Sequence, residues 1–328
     1  MPLPIPLGSS VSFDATTPVL LLSDLHFGDG SRTDLFARQD GDLVSLLEHW
    51  RDQVQGIVFL GDTMDLPQAW SLRRIRTAHP KIWTALRRLA GECRLVFARG
   101  NHDWSVDYDA LFPGATCCEV VLFGPAALAW HGHQVDLMMK PSAGNAWLKT
   151  RVHATLERLA GCRLVPPLER YDSPANRVAL ALTTLWAHGE LTAARVLERA
   201  GRPRRAAALE ARVRYLARSF IGDPADIFGA SYRQVLGAEV DTVVCGHSHL
   251  PGVVRTDRGR YVNTGSWACG SRTYALWEDG AFRVLDLDTG QEIGDADYAG
   301  LLEPTGPEDL FRWWHRHHKG LLRFDLTD

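Results

Sequence analysis

Five short stretches of this chain place Asp, Asn and His side chains where divalent cations or phosphoryl groups could be handled. They are Asp24-Leu25-His26, Gly61-Asp62-Thr63-Met64-Asp65, Gly100-Asn101-His102-Asp103, His131-Gly132-His133 and Gly246-His247-Ser248-His249. Each stands just after a run of apolar residues. Taken singly, each has an ordinary reading: Asp24 as a turn or helix-capping residue, Asn101-His102-Asp103 as a polar turn, His247 and His249 as matching alternate strand positions. Taken together they ask for a common cause, because an ionised carboxylate at the end of a buried strand is costly unless a partner is supplied. Imidazole and carboxylate side by side suit borderline and hard divalent ions such as Mn, Fe, Zn or Co. Glycines beside them let the backbone turn sharply. Two such ions about 3.5–4 Å apart would clamp the attacking and leaving oxygens of an in-line displacement, which is phosphoester chemistry.

The elements that must hold these residues follow from the hydrophobic pattern. Val19–Ser23, Gly56–Leu60 and Arg94–Ala98 read as buried strands. Thr33 to Gln55 reads as helix-like, broken near Gly41, with Leu43, Leu46, Leu47 and Trp50 on one face, and Ser71 to Ala90 reads as a helix. Strand, helix, strand, helix, strand predicts βαβ units with parallel pairing. Val120–Phe123 and Ala127–Trp130 are further strands meeting at Gly124-Pro125. Strands return at Thr242–Cys245, Gly252–Arg255, Tyr261–Asn263, Thr273–Trp277 and Phe282–Leu287. In open α/β sheets, ligands bind outside the carboxyl ends of the strands, so all five motifs can converge on one edge.

Between these blocks, from Asn145 to Leu236, strand signal is nearly absent and Ala, Leu, Arg and Glu dominate. This predicts four or five helices, with breaks near Gly161–Pro167, Ser173-Pro174, Gly189, Gly201–Pro203 and Gly222–Pro224. The expected organisation is an α/β core begun by residues 1–140, a helical insertion placed like a lid at 141–237, and residues 238–328 completing the core and adding a terminal helix.

Composition narrows the class. With 328 residues, 45% hydrophobic and 23% charged, the chain is that of a globular protein able to bury a sizeable core. The net charge of −3 gives no global argument for nucleic acid or for an anionic membrane. Six scattered cysteines form no CxxC pair, and Cys245 lies in an apolar run as a small buried thiol would; a reducing compartment, the cytoplasm by default, is expected. The opening MPLPIPLGSSVSF lacks the basic start of a signal peptide. No apolar run approaches the length of a membrane span, which leaves peripheral membrane contact open.

The ordered motifs resemble those of the calcineurin-like metallophosphoesterase superfamily, whose pattern runs DxH, GDxxD, GNH(D/E), H, GHxH. The resemblance covers about Val19 to Val135 and Thr242 to Leu287. It implies an α/β fold, a four-layered α/β/β/α sandwich of two mixed sheets with an inserted helical cap. It also implies a hydrolase with two divalent metal ions, Mn foremost and Fe, Zn or Co as alternatives. Carried over by position, Asp24, His26 and His249 would hold one ion, Asp62 would bridge both, and Asn101, His131 and His247 would complete the second. His102 would donate a hydrogen bond or proton to the scissile phosphate or leaving group, and Asp65 would orient it. A hydroxide bridging the metals would be the nucleophile. His133 is left out of the ligand set, and Asp103 is given a structural role.

The helical insertion and Asn263-Thr264-Gly265-Ser266-Trp267 look nearest to the branch containing UDP-2,3-diacylglucosamine diphosphatases, with an inserted cap for lipid chains. His102 and His133 stand where proteobacterial members of that branch carry Arg and Asp, so the branch is carried over without its lipid. The expected substrate is a phosphodiester or pyrophosphate of a phosphorylated small molecule, among them sugar-nucleotide or lipid-linked diphosphates. The alternatives are a nucleotide or cyclic-nucleotide phosphodiesterase, a phosphomonoesterase such as a protein phosphatase, and a non-catalytic scaffold. Arg177, Arg195, Arg199, Arg202, Arg204, Arg205, Arg212, Arg214 and Arg218 could face phosphate, but Glu190, Glu198 and Glu210 offer them ion pairs, and that is the reading adopted. Arg151 and Arg170 stand as equal candidates. Trp147, Trp186, Tyr215 and Phe220 could line an apolar pocket, but packing between helices is the role expected of most of them, and the tail His315-Arg316-His317-His318 is read as part of a surface helix.

Overall fold

The computed structural model describes residues 9–14, 17–135, 174–218, 240–256 and 259–294, together with 155–157, 159, 161, 163 and 164. Arg151, Arg170, Trp147, Phe220, the side chains of Tyr215 and Arg218, and the tail around Trp313 to His318 lie outside the described residues.

Among the described residues, two six-stranded sheets form the core. In the first, β2 (Val19–Leu22), β3 (Gly56–Leu60), β4 (Leu95–Ala98) and β5 (Thr116–Cys118) run parallel. β11 (Thr273–Glu278) pairs antiparallel with β2, and β12 (Ala281–Asp286) closes that edge. In the second the order is β1 (Ser10–Phe13), β6 (Val120–Phe123), β7 (Ala127–Ala129), β8 (Thr242–Cys245), β10 (Gly259–Asn263) and β9 (Gly252–Thr256). Its central pairs β7–β8 and β8–β10 are parallel, while β6–β7 is an antiparallel hairpin.

The parallel strands are buried on both faces, and their alternation assigns each face. Val19, Leu21, Val58, Leu60, Val96 and Ala98 pack with Val121, Phe123, Ala129, Val244 and Val262 of the other sheet. Leu20, Leu22, Ile57, Phe59, Leu95 and Phe97 turn the other way. They pack against Leu43, Leu46 and Leu47 of α1 (Asp40–Trp50), Ile75 of α3 (Leu72–Ala78), and Ile82, Leu86 and Leu89 of α4 (Pro80–Glu92). Strands covered on both sides read as near-continuous apolar runs, which is how they were legible. Leu128, Val243 and Tyr261 alternate onto the far face of the second sheet and are buried there too, so that face is also covered.

Several boundaries differ from expectation. The helix expected from Thr33 is α1, beginning at Asp40. The break falls before Gln39, and Gly41 lies inside the first turn. Residues 33–39 are instead tied to the preceding loop by Asp34, whose carboxylate accepts from the backbone N–H groups of Gly28, Gly30 and Phe36. The expected Ser71–Ala90 helix splits at His79-Pro80, because Pro80 cannot donate into a preceding helix but fits the first turn of the next. A single turn, α2 (Leu66–Ala69), follows Asp65, whose side chain caps it, and another, α5 (Tyr108–Leu111), follows Asp107. In the insertion, α6 (Pro174–Arg199) runs straight through Gly189, where a break was expected. One interior glycine costs about 1 kcal/mol, too little to end a helix of 26 residues. Gly201, at a left-handed φ of 71°, does turn the chain into α7 (Pro203–Arg218). Strands β1 and β5 were not anticipated. One is four residues with two serines and the other three residues at a sheet edge, too short for a periodic signal.

Candidate metal centre

The loops leaving β2 and β3 are zipped together by backbone hydrogen bonds, Asp24 N to Gly61 O at 3.1 Å and His26 N to Asp62 O at 2.9 Å. On the other sheet, Gly246 N donates to His131 O at 2.9 Å. Within these loops Asp24, His26, Asp62, His247 and His249 all have left-handed φ, between 49° and 59°. Such backbone costs of order 1–3 kcal/mol per residue and clusters at functional sites, and Asp and His tolerate it better than most residues. The neighbouring glycines leave room that a side chain would fill: a Cβ on Gly100 would fall on the carboxylate and backbone N of Asp62, and one on Gly246 on the Asp24 carboxylate.

The structure brings Asp24, His26, Asp62, Asp65, Asn101, His102, His131, His247 and His249 to this one edge. Asp24, His26 and His249 form one cluster: His249 Nε2 is 3.2 Å from both Asp24 Oδ1 and His26 Nε2. Asp62, His131 and His247 form another, with His131 Nε2 3.3 Å from Asp62 Oδ2 and 3.2 Å from Asn101 Oδ1. Asp62 lies between them, its Oδ2 also 3.9 Å from His26 Nε2 and from His102 Nε2. Both clusters draw on both sheets: Asp24, His26, Asp62 and Asn101 follow strands of the first, His131, His247 and His249 strands of the second.

These carboxylates are buried and charged. Burial would raise the pKa of Asp24 and Asp62, but surrounding histidines, His131 foremost, hold both well below the usual range. Reciprocally, burial would lower His26 and His131, yet the hydrogen bonds and charges of Asp24, Asp62 and, for His26, Asp65 raise them to about 10 and about 9. His131 shows what the arrangement suits. Its Nδ1 faces the Leu60 carbonyl at 3.0 Å, which can only accept, so Nδ1 carries a proton. A neutral ring then points the Nε2 lone pair at the Asp62 carboxylate, an acceptor facing an acceptor. A proton or a metal ion between them resolves this, and an imidazole fixed by a carbonyl on its far side is the usual form of a metal-ligating histidine. The N and O donor set fits a borderline divalent ion.

His102 differs from the others. Its Nδ1 donates to Asp65 Oδ1 at 2.9 Å, leaving Nε2 on the side of Asp62. Its side chain is 18% exposed, where those of Asp24, His26, Asp62, Asp65, His131 and His249 are buried; Asn101 and His247 are half-buried like it. Asp65 is held well below the usual range because Arg163, then His102, outweighs the effect of burial. Arg163 Nη2 lies 2.5 Å from Asp65 Oδ2. Sequence reasoning missed Arg163, which belongs to none of the five motifs. His133 sits beside the second cluster, its ring 5.4 Å from that of His131. Burial and the charges of His131 and His247 push it down to about 3.

A lower tier of polar groups shapes the loops. The Asp103 carboxylate accepts from Gly100 N, Thr63 N and the Tyr108 hydroxyl, so its role is structural. Asn263 Nδ2 donates to Gly246 O and Ser248 Oγ, bracing the turn that carries His247 and His249, and Ser23 Oγ bonds Thr264 Oγ1 at 2.5 Å. No described helix is long and apolar enough to cross a membrane.

Residues 17–157 match the family model of calcineurin-like phosphoesterases. No curated protein matches the chain. Among solved structures it is similar to a phosphoesterase, Yfce, from E. coli, at 15% identity over 84% of this chain and 96% of that one, with a TM-score of 0.38. It is similar to an archaeal phosphodiesterase at 11% identity, over 84% and 97%, TM-score 0.33. A third is a cold-active protein-tyrosine phosphatase of a psychrophilic Shewanella, at 12% identity over 87% and 81%, TM-score 0.36.

Proposed function

We propose, from a chain that carries a calcineurin-like phosphoesterase domain and is thereby a hydrolase of phosphoester bonds, that it cleaves a phosphodiester or pyrophosphate bond at a dinuclear metal centre. Asp24, His26 and His249 would hold one divalent ion, Asn101, His131 and His247 the other, and Asp62 would touch both, with Mn the first choice and Fe, Zn or Co as alternatives. When bound, such ions lower the pKa of water and offset the charge of the phosphoryl oxygens.

The chain's own residues supply the rest. As a water-derived hydroxyl adds to phosphorus and the bond to the leaving oxygen breaks, His102 Nε2 gives its proton to that oxygen. Asp65 keeps Nδ1–H of the same ring in place. A phosphodiester and water thus become a phosphomonoester and an alcohol. The observation that carries this reading is the crowding of donors at the edge: Asp24, His26, Asp62, His131 and His249 are buried together, Asn101 and His247 lie half-buried beside them, and His102, held by the Asp65 carboxylate, is partly open to substrate. The net charge of −3 gives no global argument for a strand of nucleic acid, and the expected lid suits a small substrate. The substrate class proposed is therefore a small or lipid-linked diphosphate, sugar-nucleotide diphosphates included.

Mn-loaded protein should hydrolyse bis(p-nitrophenyl) phosphate. Asp62→Ala should lose orders of magnitude in turnover together with bound metal, and His102→Ala should lose turnover with metal retained. Wild-type rates in Asp62→Ala would overturn the reading. A panel of phosphomonoesters, cyclic nucleotides and sugar-nucleotide diphosphates decides the bond. Preference for the first two would replace the diphosphate proposal by a monoesterase or a nucleotide phosphodiesterase.

A further inference from the structure

We infer that Arg163, reaching in from the inserted segment, is a positioning residue for proton delivery: it fixes the Asp65 carboxylate and, through it, the aim of His102. The inference rests on the proton-donor role proposed for His102.

The two oxygens of Asp65 have separate duties. Oδ1 receives His102 Nδ1–H at 2.9 Å and the backbone N–H of Gln68 at 3.2 Å. Oδ2 meets Arg163 Nη2 at 2.5 Å and lies 3.6 Å from His26 Nδ1. The Asp65 side chain is fully buried, so it has no water to turn towards. Its second oxygen thus faces a guanidinium on one side and a metal-site histidine on the other. Remove the guanidinium and the carboxylate is left with His26 as the neighbour of Oδ2, and its plane is free to tilt that way and carry His102 with it.

Arg163 is itself held on several sides. Its Nη1 donates to the Thr33 carbonyl at 3.2 Å, its Nε is 3.6 Å from Glu157, and its side chain is 10% exposed. Glu157 also accepts from Leu164 N at 2.8 Å, which ties the turn that presents the arginine. A planar fork spread over a carboxylate, a carbonyl and a second carboxylate is a task for Arg, which Lys cannot reproduce with one point charge. One residue of the insertion thereby touches the support of the proposed proton donor, while the rest of its fork grips core and insertion together.

A purely mechanical role, pinning the insertion to the core, predicts different kinetics. The test uses full-length Mn-loaded protein and a series of phosphodiesters whose leaving groups run from 4-nitrophenol to phenol to an alkyl alcohol. Better leaving groups need less protonation, so a fault in proton delivery is felt most by the poorest. Arg163→Ala should lower kcat by about 10–100-fold on the poor leaving groups and clearly less on 4-nitrophenyl, with KM and metal content little changed. Arg163→Lys should recover part of the loss. Placed on His102→Ala, Arg163→Ala should change kcat by no more than about twofold, as two residues acting in one chain of contacts do. An equal loss for every leaving group, or an undiminished loss in the His102→Ala background, would overturn the inference and leave Arg163 as a pin. If His102→Ala keeps the wild-type leaving-group dependence, the proton-donor role falls and this inference with it. If His102→Ala changes that dependence and Arg163→Ala does not, only the inference falls. Should Arg163→Ala not fold, Arg163→Gln against Arg163→Lys carries the same comparison.

Discussion

The carboxyl edge of the two sheets and the α6–α7 hairpin treat side chains in opposite ways. At the edge, charge is buried: Asp24, Asp62, Asp65 and Asp103 are all nearly inaccessible, and each is bound by several donors or cations. On the hairpin, apolar groups are exposed: Val178, Leu182 and Leu185 are 61%, 64% and 70% accessible on the outer face of α6, while Leu180, Ala187, Leu191 and Ala194 pack inward. Its charged groups pair at the surface, as Arg212 does with Glu190 at 2.7 Å. At the edge each of these carboxylates is held by more than one partner, so a single change propagates. On the hairpin's outer face few contacts depend on any one side chain.

That contrast can be broken or sharpened by substitution. The largest effect is expected from Gly100→Ala, because the added methyl would collide with Asp62 and backbone there cannot yield. Overpacking alone costs about 1–3 kcal/mol, and displacement of Asp62 should remove bound Mn and nearly all turnover, as metal analysis with an activity assay would show. Survival of both would mean the edge is softer than its geometry.

The next effect concerns a buried charge cluster outside the metal centre. His79 lies between Asp34 at 2.9 Å and Asp40 at 2.8 Å. Burial opposes its protonation, but these partners raise its pKa from 6.5 to about 9. A group raised on folding stabilises fully below its unfolded pKa and ceases to do so as pH climbs through its folded one. The stability margin of wild type over His79→Gln should therefore be greatest at pH 6.5 and below, and shrink up to about pH 9. Urea titrations across that window read it, and a margin growing with pH would contradict the ion cluster.

Tyr108→Phe removes one donor from Asp103, the hydroxyl at 2.6 Å. A hydrogen bond to a charged group is worth about 1.5–3 kcal/mol, so the unfolding free energy read from urea titration should fall by that amount with activity largely kept. The smallest change is expected on the hairpin: Leu182→Ser and Leu185→Ser should each stay within about 0.5 kcal/mol of wild type in thermal unfolding. A loss of several kcal/mol there would show that the face is covered in solution.

The sequence carried the site further than it carried the elements around it. Strands β2, β3, β4 and β8 were legible because burial on both faces makes them unbroken apolar runs, and the Asp, Asn and His residues after them are out of place unless something binds them. Helix limits were less legible, because side-chain contacts from afar set them. Asp34 ties residues 33–39 into a loop through bonds to Gly28 and Gly30, and no local propensity reports that. Pro80 was a local signal for the split at His79 that the apolar periodicity outweighed. Arg163 was invisible for a third reason. Its meaning lies in meeting Asp65, which stands 98 positions earlier in the chain, while thirteen other arginines of the insertion had equal claim on composition.

The descent of each ligand cluster from both sheets has a thermodynamic corollary. An ion gripped by Asp24 and His26 from one sheet and His249 from the other would act as a rivet through the sandwich, and so would one shared by Asp62 with His131 and His247. Prising the layers apart would then require releasing the ions, so denaturation and chelation become a single equilibrium, with resistance to heat climbing logarithmically with free divalent ion above its dissociation constant.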